Sequence, residues 1–197
     1  MARTRPSPGT ASPWTTCAGS SPVTRELGCD RLDLVLLHNP GHAHPGDRSV
    51  LHRAIRDAFA VLEEAVTAGH VPGYGIATWA GLKEEAFTVA ELLALAADAT
   101  GGRRHHLVAV QMPVGLGMMT PITQTLHGRD PLPAAAGAGL RVMASALLHG
   151  GELPAMVDQE LADLIRPGLT TAQACVLAVA SCPGVTDVLI AAAATWA

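Results

Sequence analysis

Aromatic residues, charged residues and long apolar runs are all scarce in this sequence of 197 residues. Aromatic side chains make up 3% of the chain and charged side chains 15%, whereas 49% of the residues are hydrophobic. This composition excludes a disordered protein and predicts a core built largely from small side chains. The sequence contains no uninterrupted apolar run of about eighteen residues, so a membrane-spanning helix is not expected.

The sequence also lacks the charge and cysteine patterns that mark several classes of binding protein. Its net charge is −4 and its lysines and arginines form no long run, so a nucleic-acid partner is not expected. The four cysteines include no C-x-x-C pair and no zinc spacing. Residues 1–22 lack the apolar segment of a secretion signal. We therefore expect a cytoplasmic protein, with residues 1–30 as a flexible arm.

One stretch organises the rest of the sequence. Residues 30–40 read DRLDLVLLHNP, so that an apolar run over 34–37 ends abruptly at His38, Asn39 and Pro40. A continuous apolar run of this length, bounded by polar residues and a proline, predicts a strand buried on both faces. In a parallel α/β sheet, ligands bind at the carboxyl ends of the strands, which is where His38 would lie.

The chain after this stretch repeats a strand-and-helix unit. The predicted strands cover residues 34–37, 74–77, 107–111, 140–144 and 185–190, and the predicted helices cover 49–68, 84–99, 131–138, 154–165 and 170–181. We expect a long loop between the third strand and the third helix. Five such repeats, with polar residues near the strand ends, predict an α/β fold with a parallel sheet.

Six phrases of the sequence resemble the aldo/keto reductase superfamily. They read DLVLLHNP at 33–40, LEEAVTAGHVPGYGIA at 62–77, VAVQMP at 108–113, VMASALLHGGEL at 142–153, LTTAQA at 169–174 and PGVTDVLI at 183–190. Their order and spacing, over residues 27–190, match the fourth to the eighth strands of that family's (β/α)₈ barrel. The resemblance implies an incomplete TIM-barrel-like sheet of about five strands, with residues 31–197 as the partial barrel domain.

The resemblance also implies a reductase that passes hydride from NADPH to a carbonyl group. In that family a tyrosine donates the proton, an aspartate and a lysine tune the tyrosine, and a histidine orients the substrate oxygen. Only the histidine has a counterpart in this sequence, as His38. The single tyrosine, Tyr74, falls on the counterpart of the family's fifth strand and is not expected to be the donor.

The counterparts of the family's cofactor site are altered as well. Ala77 and Thr78 replace the Ser-Asn pair that holds the nicotinamide amide, and Val114 replaces the tyrosine that stacks on the nicotinamide, although Gln111 matches a cofactor-contacting glutamine. Residues 191–197 read AAAATWA, which offers no positive charge for the cofactor phosphates. We therefore expect no cofactor, or NADPH if the reductase function holds.

The candidate catalytic residue is His38, because histidine ionises near neutral pH and suits general acid–base catalysis. The candidate substrate-binding residues lie at or just beyond strand ends: Asn39, Trp79, Gln111, Met112, Ser145 and His149. Core packing is the alternative for Met112. A nucleophile made of Ser145 and His149 would need a third orienting group and an oxyanion site.

Two further groups of polar residues are not expected to form a site of their own. His38, His42 and His44 have a spacing that could hold zinc, but the prolines between and after them predict a turn that directs the imidazoles apart. We therefore expect no metal. Glu63 and Glu64 fall on the predicted helix over 49–68 and are expected to be solvated.

Three functions are compatible with these observations. The first is a diverged enzyme without autonomous NADPH redox activity, whose His38-centred pocket performs dehydration, isomerisation or cyclisation of a small molecule in a biosynthetic pathway. The second is a non-catalytic interaction subunit. The third is an NADPH-dependent carbonyl oxidoreductase completed by oligomerisation or by a partner. A His38 that faces an enclosed cavity with at least one more titratable group would favour the first, and a packed or solvent-exposed His38 would favour the second. Open sheet edges predict a homo-oligomer or a partner chain that covers them.

Overall fold

A sheet of five parallel strands forms the centre of the molecule. The computed structural model describes residues 31–44, 46–129 and 131–190. The strands are β1 (Val35–His38), β2 (Tyr74–Ala77), β3 (Leu107–Pro113), β4 (Arg141–Ser145) and β5 (Asp187–Val188). Their spatial order is their chain order, so that β1 and β5 form the two edges of the sheet among the described residues. The sheet is parallel throughout and is not closed into a barrel.

Helices connect these strands. They are α1 (Arg48–Thr67), α2 (Val89–Ala99), α3 (Thr120–Leu126), α4 (Leu132–Gly137), α5 (Leu153–Met156), α6 (Gln159–Ile165) and α7 (Thr171–Ala180). Short 3₁₀ turns at Pro40–His42 and His149–Gly151 follow β1 and β4. None of the helices in the described ranges is long and apolar enough to cross a membrane.

Helix α1 shows how the local sequence fixes these elements. Asp47 caps the helix, since its carboxylate accepts a hydrogen bond from the backbone N–H of Val50 at 3.0 Å. Leu51, Ile55 and Phe59 recur at the four-residue spacing of one helix face, and all three are at most 2% exposed. The apolar stripe therefore directs α1 onto the sheet.

Among the described residues, the helices cover only one face of the sheet. Sequential strand order with right-handed crossovers places successive helices on the same side, and Leu37, Ile76, Val110 and Val142 belong to the core on that side. Successive residues of a strand point to opposite faces. The residues that alternate with this core form what we call the helix-free face: Leu36, His38, Gly75, Ala77, Ala109, Gln111, Met143 and Ser145.

Gly75 lets the central strands pack closely on the helix-free face. A Cβ atom at this position would lie 2.6 Å from the carbonyl oxygen of Ala109 and 2.7 Å from a methyl carbon of Leu36. Real Cβ atoms essentially never make contacts this short, so only glycine fits at this position between β1 and β3.

The sequence predictions and the structure differ at four elements. Helix α2 begins at Val89 instead of residue 84, because Thr88 caps it by accepting a hydrogen bond from the backbone N–H of Glu91. Helix α3 occupies part of the predicted loop. Pro121 is compatible with this helix because it lies in the first turn, where the backbone N–H that proline lacks would have no partner within the helix. The predicted helix over 154–165 is divided at Val157, whose backbone is extended. Strand β5 is two residues long instead of six. The predicted arm over residues 1–30 lies outside the described residues.

Candidate functional site

His38 and Gln111 face the same space from either side of Ala77. The strand register pairs His38 with Ala77 and Ala77 with Gln111. Neighbouring strands are about 4.8 Å apart, so the backbones of His38 and Gln111 are separated by about 10 Å. Ala77, which lies between them, is 3% exposed, so neighbouring groups cover its methyl group. A small molecule that contacts both His38 and Gln111 must therefore lie over the outer ends of their side chains.

The polar groups of both side chains are available to a ligand. His38 is exposed and Gln111 half-buried, and neither side chain hydrogen-bonds to another residue within the described part of the chain. His38 can accept or donate a proton, and the Gln111 carboxamide can both donate and accept hydrogen bonds. The described residues do not enclose His38. By the criterion set from the sequence, this exposure favours the non-catalytic function.

Asn39 holds the end of β1 against the end of β2. The backbone of Asn39 is in the left-handed region, with φ of 45°. Asparagine adopts this region more readily than most residues do. Its backbone N–H donates to the carbonyl of Ala77 at 2.7 Å, and its side-chain Oδ1 accepts from the backbone N–H of Trp79 at 2.7 Å. The backbone bond and the Oδ1 bond together hold the loops after β1 and β2 in position next to His38.

Trp79 and Met112 line a cavity of about 160 Å³ beside the ends of β2 and β3. Met112 is 2% exposed and belongs to the core on the helix side, so it lies across the sheet from Gln111. Trp79 is 49% exposed at the opening of the cavity. Met112 therefore packs in the core, as the alternative prediction stated, and its role in substrate binding stays a prediction.

Ser145 and His149 lie farther from His38. Ser145 is on the helix-free face, paired with Pro113. Three strand spacings separate β4 from β1, which amounts to about 14 Å. His149 is exposed in the 3₁₀ turn after β4, with φ of 48°. The register thus places Gln111 between the two, one strand from Ser145 and two strands from His38, and it separates Ser145 from His38.

Arg141 and Asp187 form an ion pair with each other on the helix-free face. Asp187 continues the row of Ala77 and Gln111 through Met143, and Arg141 donates to its carboxylate at 2.6 Å. The hydrogen bond from Arg141 lowers the pKa of Asp187. Across residues 31–44, 46–129 and 131–190, no group of three or more His, Cys, Asp or Glu side chains is placed to hold a metal ion.

Sequence reasoning missed a hydrogen-bonded cluster at the opposite end of the sheet. Glu63 accepts from the hydroxyl of Tyr74 at 2.8 Å and from the backbone N–H of His106 at 2.7 Å, and its second oxygen lies 2.7 Å from Nδ1 of His106. The Glu63 side chain is 12% exposed. The expectation that Glu63 is solvated is therefore wrong. The available signal was the position of Glu63 one turn before the end of α1, a short distance along the chain from Tyr74 on the next strand.

The cluster shifts two pKa values in opposite directions. Partial burial acts to raise the pKa of Glu63, but the hydrogen bonds from His106 and Tyr74 outweigh it and leave that pKa below its usual value. Burial, and then the hydrogen bond to Glu63, raise the pKa of Tyr74 well above its usual range. Tyr74 is fully buried. It therefore stays protonated and bonded to Glu63 instead of donating a proton to a ligand.

Comparison with solved structures identifies the architecture. A thermostable aldo-keto reductase, Tm1743, solved with the inhibitor epalrestat, aligns with a TM-score of 0.61 and 18% identity, over 87% of this chain and 53% of the reductase. An aldo/keto reductase from Klebsiella pneumoniae, solved with NADP and acetate, aligns with a TM-score of 0.58 and 21% identity. The alignment covers 85% of this chain and 51% of that reductase. The chain has an aldo-keto reductase-like fold.

A third structure extends this similarity. A putative 2,5-diketo-D-gluconic acid reductase B aligns with a TM-score of 0.58 and 21% identity, over 87% of this chain and 50% of its own. The aldo-keto reductase-like chain spans about half the length of the structures it matches. No family model matches the sequence, and no curated protein does.

Two of the positions that the resemblance assigns to the nicotinamide have other contacts within the described residues of this aldo-keto reductase-like fold. The Thr78 hydroxyl, at the position of the family's amide-binding pair, already accepts a hydrogen bond from the N–H of Gly81 at 2.9 Å in a buried turn. Val114, at the position of the stacking tyrosine, is fully buried. Only Gln111 remains available at the counterparts named for the nicotinamide. The segment expected to meet the phosphates, residues 191–197, lies outside the described residues.

Proposed function

We propose that this chain catalyses non-redox proton transfer on a small carbonyl compound, with His38 as the acid–base group. The observation that supports this proposal is that the His38 imidazole and the Gln111 carboxamide lie on one sheet face on either side of Ala77 and hydrogen-bond to no other described residue. Within such a pair, the Gln111 amide N–H donates to the carbonyl oxygen of the substrate. His38 removes a proton from the adjacent carbon and returns it to the product. Dehydration, isomerisation and cyclisation each need such a step.

The state of Tyr74 supports a function that does not depend on NADPH redox chemistry by this chain alone. Carbonyl reduction in the resembling family needs a tyrosine as proton donor, and the single tyrosine of this chain is buried on the helix side and bonded to Glu63. The altered nicotinamide contacts at Thr78 and Val114 support the same proposal. The setting we propose is a biosynthetic pathway in the cytoplasm.

A covering chain belongs to this proposal, because proton transfer is most effective in a cavity that excludes water. His38 is exposed, and β1 and β5 are edge strands among the described residues. Edge strands present unpaired backbone groups that favour pairing with another chain. We propose that a second copy or a partner chain covers the helix-free face and encloses His38. Static light scattering of the purified protein at several concentrations tests for the second copy.

The proton-transfer step can be tested without knowing the substrate. A panel of small ketones and aldehydes is incubated with the protein in D₂O, and exchange of the protons next to the carbonyl is followed by NMR. The proposal predicts catalysed exchange for at least one compound. His38→Ala should abolish it, while His42→Ala, which changes an exposed histidine on the following turn, should leave it unchanged.

The second candidate is a non-catalytic interaction subunit, which the exposure of His38 favours. Under this function, no compound of the panel shows exchange above the protein-free rate, and His38→Ala leaves the oligomeric state unchanged. Exchange that survives in His38→Ala would overturn the assignment of His38 as the acid–base group. Each result therefore separates the two candidates.

A further inference from the structure

The cavity beside the ends of β2 and β3 has no part in the proton-transfer proposal. It lies between the loop after β2 and helix α3, and its volume is about 160 Å³. Met112 forms part of its wall from the helix side of the sheet, whereas His38 and Gln111 lie on the helix-free face. The cavity is therefore a separate place for a ligand.

The size and walls of the cavity suit one six-membered ring. An apolar cavity of about 150 Å³ binds benzene in a well-studied engineered protein, so about 160 Å³ admits a ring of this size. The apolar part of the lining consists largely of flat or polarisable side chains: Trp79, Leu82, Met112, Pro113, Met118, Pro121 and Pro131. Indole faces and methionine sulfur both make favourable contacts with aromatic rings. Trp79 is 49% exposed, so the cavity is accessible from solvent.

Polar side chains at the cavity determine which ring compounds it accepts. Thr120 and Gln124, both on α3 and both half-buried, line it, and their side chains bond to no other residue in the described ranges. Lys83 and Glu84 contribute opposite charges. A negatively charged ligand would meet Glu84 as well as Lys83. A neutral ring with one hydrogen-bonding substituent can use Gln124 without that conflict.

We propose that this cavity binds a neutral single-ring compound that bears a hydroxyl group, of the phenol class. The ring lies between Trp79 and Met112, and the hydroxyl group hydrogen-bonds to the carboxamide of Gln124. The proposal is independent of His38 and holds whether or not proton transfer occurs on the helix-free face.

Phenol itself is the probe, and methionine methyl groups are the reporters. In protein labelled with ¹³C at the methionine methyls, phenol should shift the Met112 and Met118 signals saturably because of the ring current. The Met156 signal should stay in place, since this residue is 76% exposed and outside the cavity lining. Methionine-to-leucine variants, made one at a time, assign the three signals.

Two variants test the position and the polar contact. Gln124→Leu should weaken phenol binding by about 2- to 10-fold, the effect of one lost hydrogen bond, and should not weaken binding of benzene. Gln124→Trp should fill the cavity and abolish the shifts of Met112 and Met118. Equal shifts of all three methionines, or no saturable shift in folded protein, would overturn the proposal. Stronger binding of benzoate than of phenol would overturn the neutral class.

Discussion

Tyr74 donates its phenolic hydrogen to the carboxylate of Glu63 across 2.8 Å. The bond joins β2 to α1, and His106 brings the start of β3 to the same carboxylate. Three elements distant in sequence therefore converge on one partly buried acid. Tyr74 is the single tyrosine of the chain, and this bond holds it on the side of the sheet that faces away from His38.

Removal of the tyrosine hydroxyl should lower the stability of the protein. Tyr74→Phe keeps the ring, which packs 5.2 Å from the ring of Phe59, and deletes one hydrogen bond to a charged group. Such bonds contribute about 1.5–3 kcal/mol, so the free energy of unfolding in urea should fall by about that amount. An unchanged unfolding midpoint would show that the Tyr74–Glu63 bond has no stabilising role.

The acid side of the pH–stability profile should depend on Glu63. Its pKa is lower in the folded protein than its usual value, so the unfolded chain binds the proton more readily. The stabilisation is thus present above the unfolded pKa and is lost as the pH falls through the folded pKa. Glu63→Gln removes this contribution, and its stability should fall less steeply than that of the wild type below about pH 5.

The comparison with Glu63→Gln is needed because other acids act in the same direction. Asp47, Glu91 and Asp187 also have lowered pKa values, from hydrogen bonds that they accept in the folded state. Their contribution remains in the variant and cancels between the two profiles. Identical acid slopes in urea titrations of the wild type and the variant would contradict the role given to Glu63.

Gly75→Ala should destabilise the sheet strongly. The added methyl group would lie within 3 Å of the Ala109 backbone and of Leu36, so the strands must shift, and overpacking of this kind costs about 1–3 kcal/mol or more. Gly137→Ala is the matched control, because nothing lies within 4 Å of its added Cβ. Thermal unfolding should show a lower midpoint for the first variant only. Equal midpoints would mean that β1 and β3 adapt without cost.

Local sequence patterns predicted the sheet because its strands are continuous apolar runs. Strand β1 lies one residue from its predicted position, and α1 follows the four-residue spacing of Leu51, Ile55 and Phe59. The existence of α3 was missed, since Pro121 and its threonines are typical of loops. A proline in the first helical turn breaks no hydrogen bond, and this exception is not visible without the surrounding structure.

The candidate site was predictable only where it depends on strand ends. His38 and Gln111 end or nearly end apolar runs, and a parallel register brings them to one edge of the sheet. The face on which Met112 lies follows from alternation with Gln111, but the cavity beside it depends on α3. The Glu63–His106 contact joins residues 43 positions apart, and no local pattern marks such a pair.

The central claim is that the helix-free face works in proton transfer without a nicotinamide nucleotide. Isothermal titration of the purified, folded chain with NADPH tests it most directly, after light scattering has established the oligomeric state. We predict no saturable binding heat, which corresponds to a dissociation constant weaker than about 1 mM. Binding with a dissociation constant of about 1 μM would contradict the account and would favour an NADPH-dependent oxidoreductase completed by oligomerisation or a partner.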